Sequence, residues 1–428
     1  MPIYDSTLDL LRKKQALAGL KNIEDVLLPN YHGYSLANLT PSISRWLGGP
    51  ELPAPVFSDE ILKHFAPGYK RVVVLLVDAL GYNQLVRLME KGEADFWQKN
   101  LGKATLIPLT SISPSTTATA LSTIWTGATP SQHGIIGYEM WLKSLGMVIN
   151  NILHSPSSFV GDLGGLSRAG FDPASFMGIQ PIGEKFSHSG IESHAFIPAG
   201  IANSGLSRMH HIGTQLHGYA AESDMLANLR DLLNSRPNNR KFIYTYWSLV
   251  DSLMHHYGTY DERVTEQFKS FSEAFERILL DKLEPLARKD TLFLVTADHG
   301  SLETPHNPPY ELRYHPELER MLVMQPTCEG RLPYLYVKSG QEAGVRQYFE
   351  EAWGDEFSVV TRQEVLDSGL WGIGTPHPDL ENRIGDLVVI PHGSAYLWWV
   401  NKANVMLGRH GGLHPDEMLV PLYALPLD

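Results

Sequence analysis

The chain has 428 residues, of which 43% are hydrophobic and 19% charged, and its formal net charge is -12. These proportions exclude wholesale disorder, and the acidic balance excludes a nucleic-acid polymer as the expected partner, since such proteins carry basic surfaces. A small anionic substrate stays open, because bound dications reverse a local potential.

From the N-terminus, Met1-Pro2-Ile3-Tyr4-Asp5 runs on to Leu11-Arg12-Lys13-Lys14 with no apolar signal core. No apolar stretch approaches the roughly 20 residues of a membrane helix, so a cytoplasmic protein without membrane contact is expected. Residues 72–77, Val-Val-Val-Leu-Leu-Val, read as a strand buried on both faces. An amphipathic helix is predicted over 83–99, a strand over 105–110, and a small-residue helix over 117–126. Residues 139–220 are rich in Gly, Ser, Pro and His and show no clear period. Helices over 222–234 and 261–285 alternate with strands over 242–247 and 291–296. This alternation predicts a three-layer α/β/α core with a mostly parallel sheet. The proline-dense Thr304-Pro305-His306-Asn307-Pro308-Pro309 opens a segment with its own strand, helix and strand, at 332–337, 341–353 and 357–360. We therefore expect a catalytic core of 1–303 and 386–428, resuming at Asp386-Leu387-Val388-Val389-Ile390, with an inserted cap at 304–385. The cap should shape substrate choice through exposed aromatics such as Tyr310, Tyr314 or Trp371.

In a parallel sheet, ligands bind beyond the carboxyl ends of the strands. Asp78 directly follows the first strand, and Asp298-His299-Gly300 follows the strand over 291–296. One such Asp usually caps a helix or turn. Asp251 and His255, at i and i+4, share one face of a helical turn and can grip one ion, as the histidines of HExxH do. The loop Ser111-Ile112-Ser113-Pro114-Ser115-Thr116-Thr117 leads into a helix, whose N-terminus favours both a hydroxyl cap and an alkoxide. In Arg409-His410-Gly411-Gly412-Leu413-His414, either histidine could serve. Three acids, three histidines and a threonine loop make a ligand set for two divalent cations around a hydroxyl nucleophile. The single cysteine, Cys328, provides neither a disulfide nor a thiolate zinc site. Asp and His donors suit Zn2+ and tolerate Mn2+ or Fe.

Thr126-Gly127-Ala128-Thr129-Pro130-Ser131-Gln132-His133-Gly134-Ile135 resembles the TG-x-x-P-x-x-HGI signature of the type I phosphodiesterase / nucleotide pyrophosphatase branch of the alkaline phosphatase superfamily. The resemblance extends over 70–422 and implies an alkaline-phosphatase-like fold. It implies Thr117 as nucleophile, one zinc on Asp251, His255 and His410, and another on Asp78, Asp298, His299 and the Thr117 oxygen, with His133 structural. The implied activity is hydrolysis of small phosphate diesters or pyrophosphates. Where that branch has Phe-Pro-Asn after the threonine, this chain has Ala118-Thr119-Ala120. Phosphonate or phosphomonoester hydrolysis, and a non-hydrolytic interaction role on the same fold, are the alternatives.

Overall fold

The computed structural model of the protein describes residues 2–12, 17–21, 23–158, 162, 164–236, 238–400 and 403–427. Lys13 and Lys14, part of the N-terminal reading, lie outside the described residues. Among those described, no helix is long and apolar enough to cross a membrane.

Seven strands make the central sheet: β1 (Arg71–Val77), β2 (Thr105–Thr110), β3 (Ile191–Pro198), β4 (Gln215–Tyr219), β5 (Arg240–Trp247), β6 (Thr291–Thr296) and β7 (Leu419–Pro426). Their order is β2-β7-β6-β1-β5-β3-β4. β6, β1, β5, β3 and β4 run parallel, and β7 runs antiparallel to its neighbours β6 and β2. This is the expected α/β core with a mostly parallel sheet. β1 and β6 are buried along their whole length, and each buried Val or Leu contributes about 1.5–3 kcal/mol.

Two helices are shorter than predicted. The segment over 83–99 divides into Tyr82–Glu90 and Asp95–Lys99 around Gly92, whose φ of 69° ends the first helix. The helix over 261–285 is regular only over Glu262–Ala274 and then widens into a π-turn at Phe275–Leu279.

A second sheet has the order Phe357–Thr361, Leu387–Pro391, Leu332–Leu335, Thr327–Glu329, Glu139–Leu142, Met147–Asn150, Ser155–Pro156. Leu387–Pro391, where the sequence predicts the return to the core, instead lies inside this sheet, between Phe357–Thr361 and Leu332–Leu335. A doubly buried apolar run looks alike in either sheet, so periodicity does not assign it. The segment without clear period supplies three further strands, at 139–156, which join through Thr327–Glu329. Of the aromatics expected on the surface, Tyr310 and Trp371 are buried at 6% and 2% exposure. Tyr310 packs in the core behind the second sheet and donates to Glu356 at 2.8 Å, while the Trp371 indole donates to the Tyr334 hydroxyl at 3.1 Å. Only Tyr314 is exposed.

Candidate active site

Strand register brings the first two acids together. Leu76 pairs with Thr296, so Asp78 and Asp298 each stand two residues beyond the same rung, at the carboxyl edge of adjacent strands. Tyr246 pairs with Leu76 from the other side, and the chain then turns into the helix Leu249–Tyr257, which carries Asp251 in its first turn and His255 four residues on. His410 enters from the C-terminal part, following the short pairing of Leu302–Glu303 with Gly408–Arg409. Gly411 there has φ 111°, and a Cβ on it would lie 2.6 Å from the Glu329 Cβ, so only glycine lets the two chains pass. Gly300 is equally constrained: a Cβ would meet the Asp416 carbonyl at 1.9 Å.

The ligand-type atoms form two overlapping groups. Asp78, Asp298 and His299 have donor atoms within 4.8 Å of one another, and so do Asp251, His299 and His410. His299 Nε2 stands 3.5 Å from both Asp78 and Asp298, and 3.3 Å from Thr117 Oγ1. His410 Nε2 lies 3.8 Å from Asp251, and its ring stacks on that of His299 at 3.6 Å between centroids. His255 lies outside both trios and approaches Asp251 at 3.2 Å. The second group therefore shares His299 where the resemblance implied His255. His414 faces elsewhere, its Nδ1 accepting from the Asp416 N–H at the start of the helix Pro415–Met418. His133 is fully buried and bonds Thr123 at 3.0 Å, away from both groups.

Two features fit these residues to cations. The Nδ1 of each of the three histidines faces a backbone carbonyl: His255 that of Gly408 at 2.8 Å, His299 that of Gly300 at 2.9 Å, and His410 that of Ser115 at 3.0 Å. A carbonyl only accepts, so each Nδ1 carries the proton and each Nε2 presents a lone pair to the acids, the arrangement of metal-binding histidines. Asp78 Oδ1, Asp251 Oδ1 and Asp298 Oδ2 are buried without any hydrogen-bond donor. Burial pushes the Asp78 carboxyl well above the usual range, the Asp298 and Asp251 charges add to this, and the Tyr246 hydroxyl opposes it. Burial also holds His410 neutral, well below 6.5, with His299 and His255 reinforcing the effect. Buried carboxylate oxygens without donors, beside imidazoles that turn Nε2 toward them, are what a bound cation relieves.

Thr117 opens the ten-residue helix Thr117–Thr126. Thr116 beside it donates to Glu329 at 2.6 Å. A cavity of about 390 Å3 leads away from Thr117, Asp251 and His410 between Tyr138, Glu139, Glu329, Trp398 and Trp399. Burial pushes the Glu329 carboxyl up to about 8; the Thr116 hydroxyl opposes this, and nearby Glu139, Asp251 and Glu417 add to it.

Several of these residues escape a reading by motif. Tyr246 donates a short hydrogen bond to Asp78 Oδ2 and so leaves Oδ1 as the open atom. The alternation of Tyr244 and Tyr246 in a strand buried throughout is a signal for it, since a buried hydroxyl needs a partner. Glu329 and the Trp398-Trp399 pair carry no local signal, because only chain folding brings them into the cavity that Thr116 lines.

This is the layout of an α/β enzyme whose chemistry lies beyond the carboxyl ends of its parallel strands. The family model for type I phosphodiesterase / nucleotide pyrophosphatase matches residues 72–413, and the chain belongs to that family of metal-dependent phosphoester hydrolases. No curated protein sequence matches it. Among solved structures, it is similar to murine ectonucleotide pyrophosphatase / phosphodiesterase 5, in an inactive form with AMP, at TM-score 0.62 and 15% identity, over 83% of this chain and 87% of that one. The human ectonucleotide pyrophosphatase / phosphodiesterase 5 matches at TM-score 0.61 and 14% identity, over 82% and 87%. Phosphonoacetate hydrolase from Sinorhizobium meliloti 1021, with phosphonoacetate, matches at TM-score 0.60 and 16% identity, over 84% and 90%. At these identities the likeness is one of fold.

Proposed function

We propose that the protein hydrolyses small phosphate diesters or pyrophosphates with two divalent cations, zinc first and manganese or iron tolerated, and with Thr117 as nucleophile. The observation that carries this reading is the set of three buried, donorless carboxylate oxygens facing histidine lone pairs. Asp78, Asp298, His299 and the Thr117 oxygen would hold one cation; Asp251, His255 and His410 would hold the other. Bound there, the cations would acidify the Thr117 hydroxyl and neutralise charge on the phosphoryl oxygens.

The chain's own residues supply the rest. Thr117 sits at a helix N-terminus, where the backbone dipole favours a developing alkoxide. Its Oγ1 faces the His299 lone pair at 3.3 Å, which orients the hydroxyl. The three carbonyl contacts to Nδ1 fix the imidazoles so that they need not reorganise during turnover. Residues 304–385 would act as a cap, contributing Glu329 to the cleft wall and no residue to either trio of ligand-type atoms. AMP accompanies one structural relative and phosphonoacetate another, so diester, monoester and phosphonate chemistry all need testing. Elemental analysis after reconstitution should give two metals per chain, and chelation should abolish activity. Of p-nitrophenyl diester, monoester and phosphonate substrates, the diester should turn over fastest. Less than one metal per chain, or a faster phosphonate or monoester, would refute the respective part.

A further inference from the structure

A second cavity, of about 370 Å3, lies apart from the candidate site, and none of the described residues on its wall belongs to either ligand group. It opens between the turn that joins Glu139–Leu142 to Met147–Asn150, the segment 170–176 and the stretch 377–383. Trp141, Phe171 and Phe176 give it aromatic walls, and Leu145 beside them is left 38% exposed. Arg383 lines the same cavity yet is itself buried, at 3% exposure, with its guanidinium 4.6 Å from the centre of the Phe176 ring. Nη1 donates to the Gly134 carbonyl at 2.6 Å and Nη2 to the Phe176 carbonyl at 3.5 Å, while Nε has no partner. Its ion-pair partner Asp379 is 4.0 Å away, with a side chain 59% exposed. Burial lowers the guanidinium to about 10 and Asp379 opposes the shift, so it stays charged at neutral pH. A buried charge whose partner is distant and solvated invites a counter-ion. Lys143 adds a second positive charge from the hairpin turn, its Nζ 3.3 Å from Asn382 Oδ1.

We propose that this cavity binds a small aromatic carboxylate, its anionic end between Arg383 and Lys143 and its ring among Trp141, Phe171 and Phe176. The site is independent of the phosphodiesterase reading above. A single negative charge suits it better than a phosphate dianion, because Asp172 and Asp379 also line the cavity and would repel the second charge. His377 adds no charge, since burial, reinforced by Arg383, lowers it to about 4. A flat ring suits the walls, which are themselves largely rings and take an offset or edge-on partner. The occupant would rest on the turn of a hairpin whose other end, Glu139 paired with Asn150, lines the cavity beside Thr117. It would therefore bind as an effector, remote from the nucleophile, and not as a substrate.

Calorimetric titration of the metal-loaded protein with phenylacetate, judged against its neutral isostere phenylacetamide, reads the site without any turnover. Phenylacetate should bind tighter by about tenfold or more. Arg383→Gln should abolish that preference. Lys143→Glu, a change at an exposed position, should weaken phenylacetate by about threefold or more and leave phenylacetamide as it was. If Arg383→Gln fails to fold, Lys143→Glu decides alone. Asp251→Asn is the control for a carboxylate held by the catalytic cations, and both affinities should survive it. Equal binding of acid and amide, no binding of the acid, or a preference undiminished in either cavity variant would overturn the proposal. Loss of phenylacetate binding in Asp251→Asn would overturn it too, by placing the ligand on the cations.

Discussion

The guanidinium of Arg331 meets the carboxylate of Glu417 at 2.7 Å, and neither side chain has any solvent exposure. Arg331 also donates to the Ala395 carbonyl, while Glu417 accepts from the Gly412 N–H at 2.9 Å and its own carbonyl accepts from the Gly300 N–H at 2.8 Å. One ion pair thus ties together the second sheet, the loop before Trp398, the turn after His299 and the loop after His410. Removing one partner of a buried pair strands the other charge and costs about 3–5 kcal/mol. Glu417→Gln should therefore lower the denaturation midpoint strongly and loosen metal binding. Replacing both partners, as in Arg331→Met with Glu417→Leu, should recover much of the midpoint. A double variant no more stable than the single would show that the pair is not the cause.

Thr117→Ala should reduce kcat on the order of 10³-fold or more while both metals remain bound, because the proposed function makes its oxygen one ligand among several and the sole nucleophile. Single-turnover rates and elemental analysis read the two effects separately. Activity retained in Thr117→Ala and lost in Thr116→Ala or Ser115→Ala would move the nucleophile along the loop.

His410→Ala should cut metal affinity and activity sharply, with His414→Ala milder, since of these two histidines His410 presents Nε2 to Asp251 and His414 turns to the Asp416 N–H. Metal competition against a chromophoric chelator measures the difference. The opposite ranking would refute the assignment.

Tyr246→Phe tests how Asp78 is oriented. Without the hydroxyl on Oδ2, the carboxylate is free to rotate, and metal affinity should fall about 10–100-fold, the usual effect of losing a partner behind a ligand. Thermal stability should change far less, so unchanged affinity with lowered stability would make Tyr246 a packing residue only.

Acid sensitivity should come from a buried group of histidines near the helix Thr117–Thr126. His210 bonds Ser122 at 2.9 Å, His133 bonds Thr123, and His211 packs edge-on against Trp125. Burial lowers His133 to about 3 and both His154 and His211 to about 4, and takes His210 well below 6.5. In the unfolded chain these imidazoles titrate near 6.5. Below that pH the unfolded state binds more protons, so stability declines as pH falls from about 6.5 toward about 4, by up to about 1.4 kcal/mol per pH unit for each histidine. Urea midpoints should be level above about pH 7 and fall below it. His154→Phe, at a position whose ring nitrogens have no partner, should flatten the slope. A slope unaffected by that change would place the acid sensitivity elsewhere.

The local chemistry of the candidate site was legible because it is written in short stretches. Apolar runs long enough only for strands stop at Asp78 and Asp298, and the spacing of Asp251 and His255 matches one helical turn. Backbone register then does the rest, since parallel pairing of β1 with β6 necessarily aligns residues that end equivalent runs. What the tertiary structure alone decided is which distant segments share a wall. Nothing in Leu387–Pro391 distinguishes a strand of the central sheet from one of the second sheet, because burial on both faces erases the period that would mark a side. The short hairpin strands at 139–156 gave no period, and they join the cap only through pairing with Thr327–Glu329, which sets Glu139 beside Glu329. Likewise His299, assigned by its motif to one group of ligands, lies within reach of both because its ring stacks on that of His410, more than a hundred residues away. Local sequence specifies which atoms can coordinate or react; the packing of elements far apart in the chain determines which of them meet.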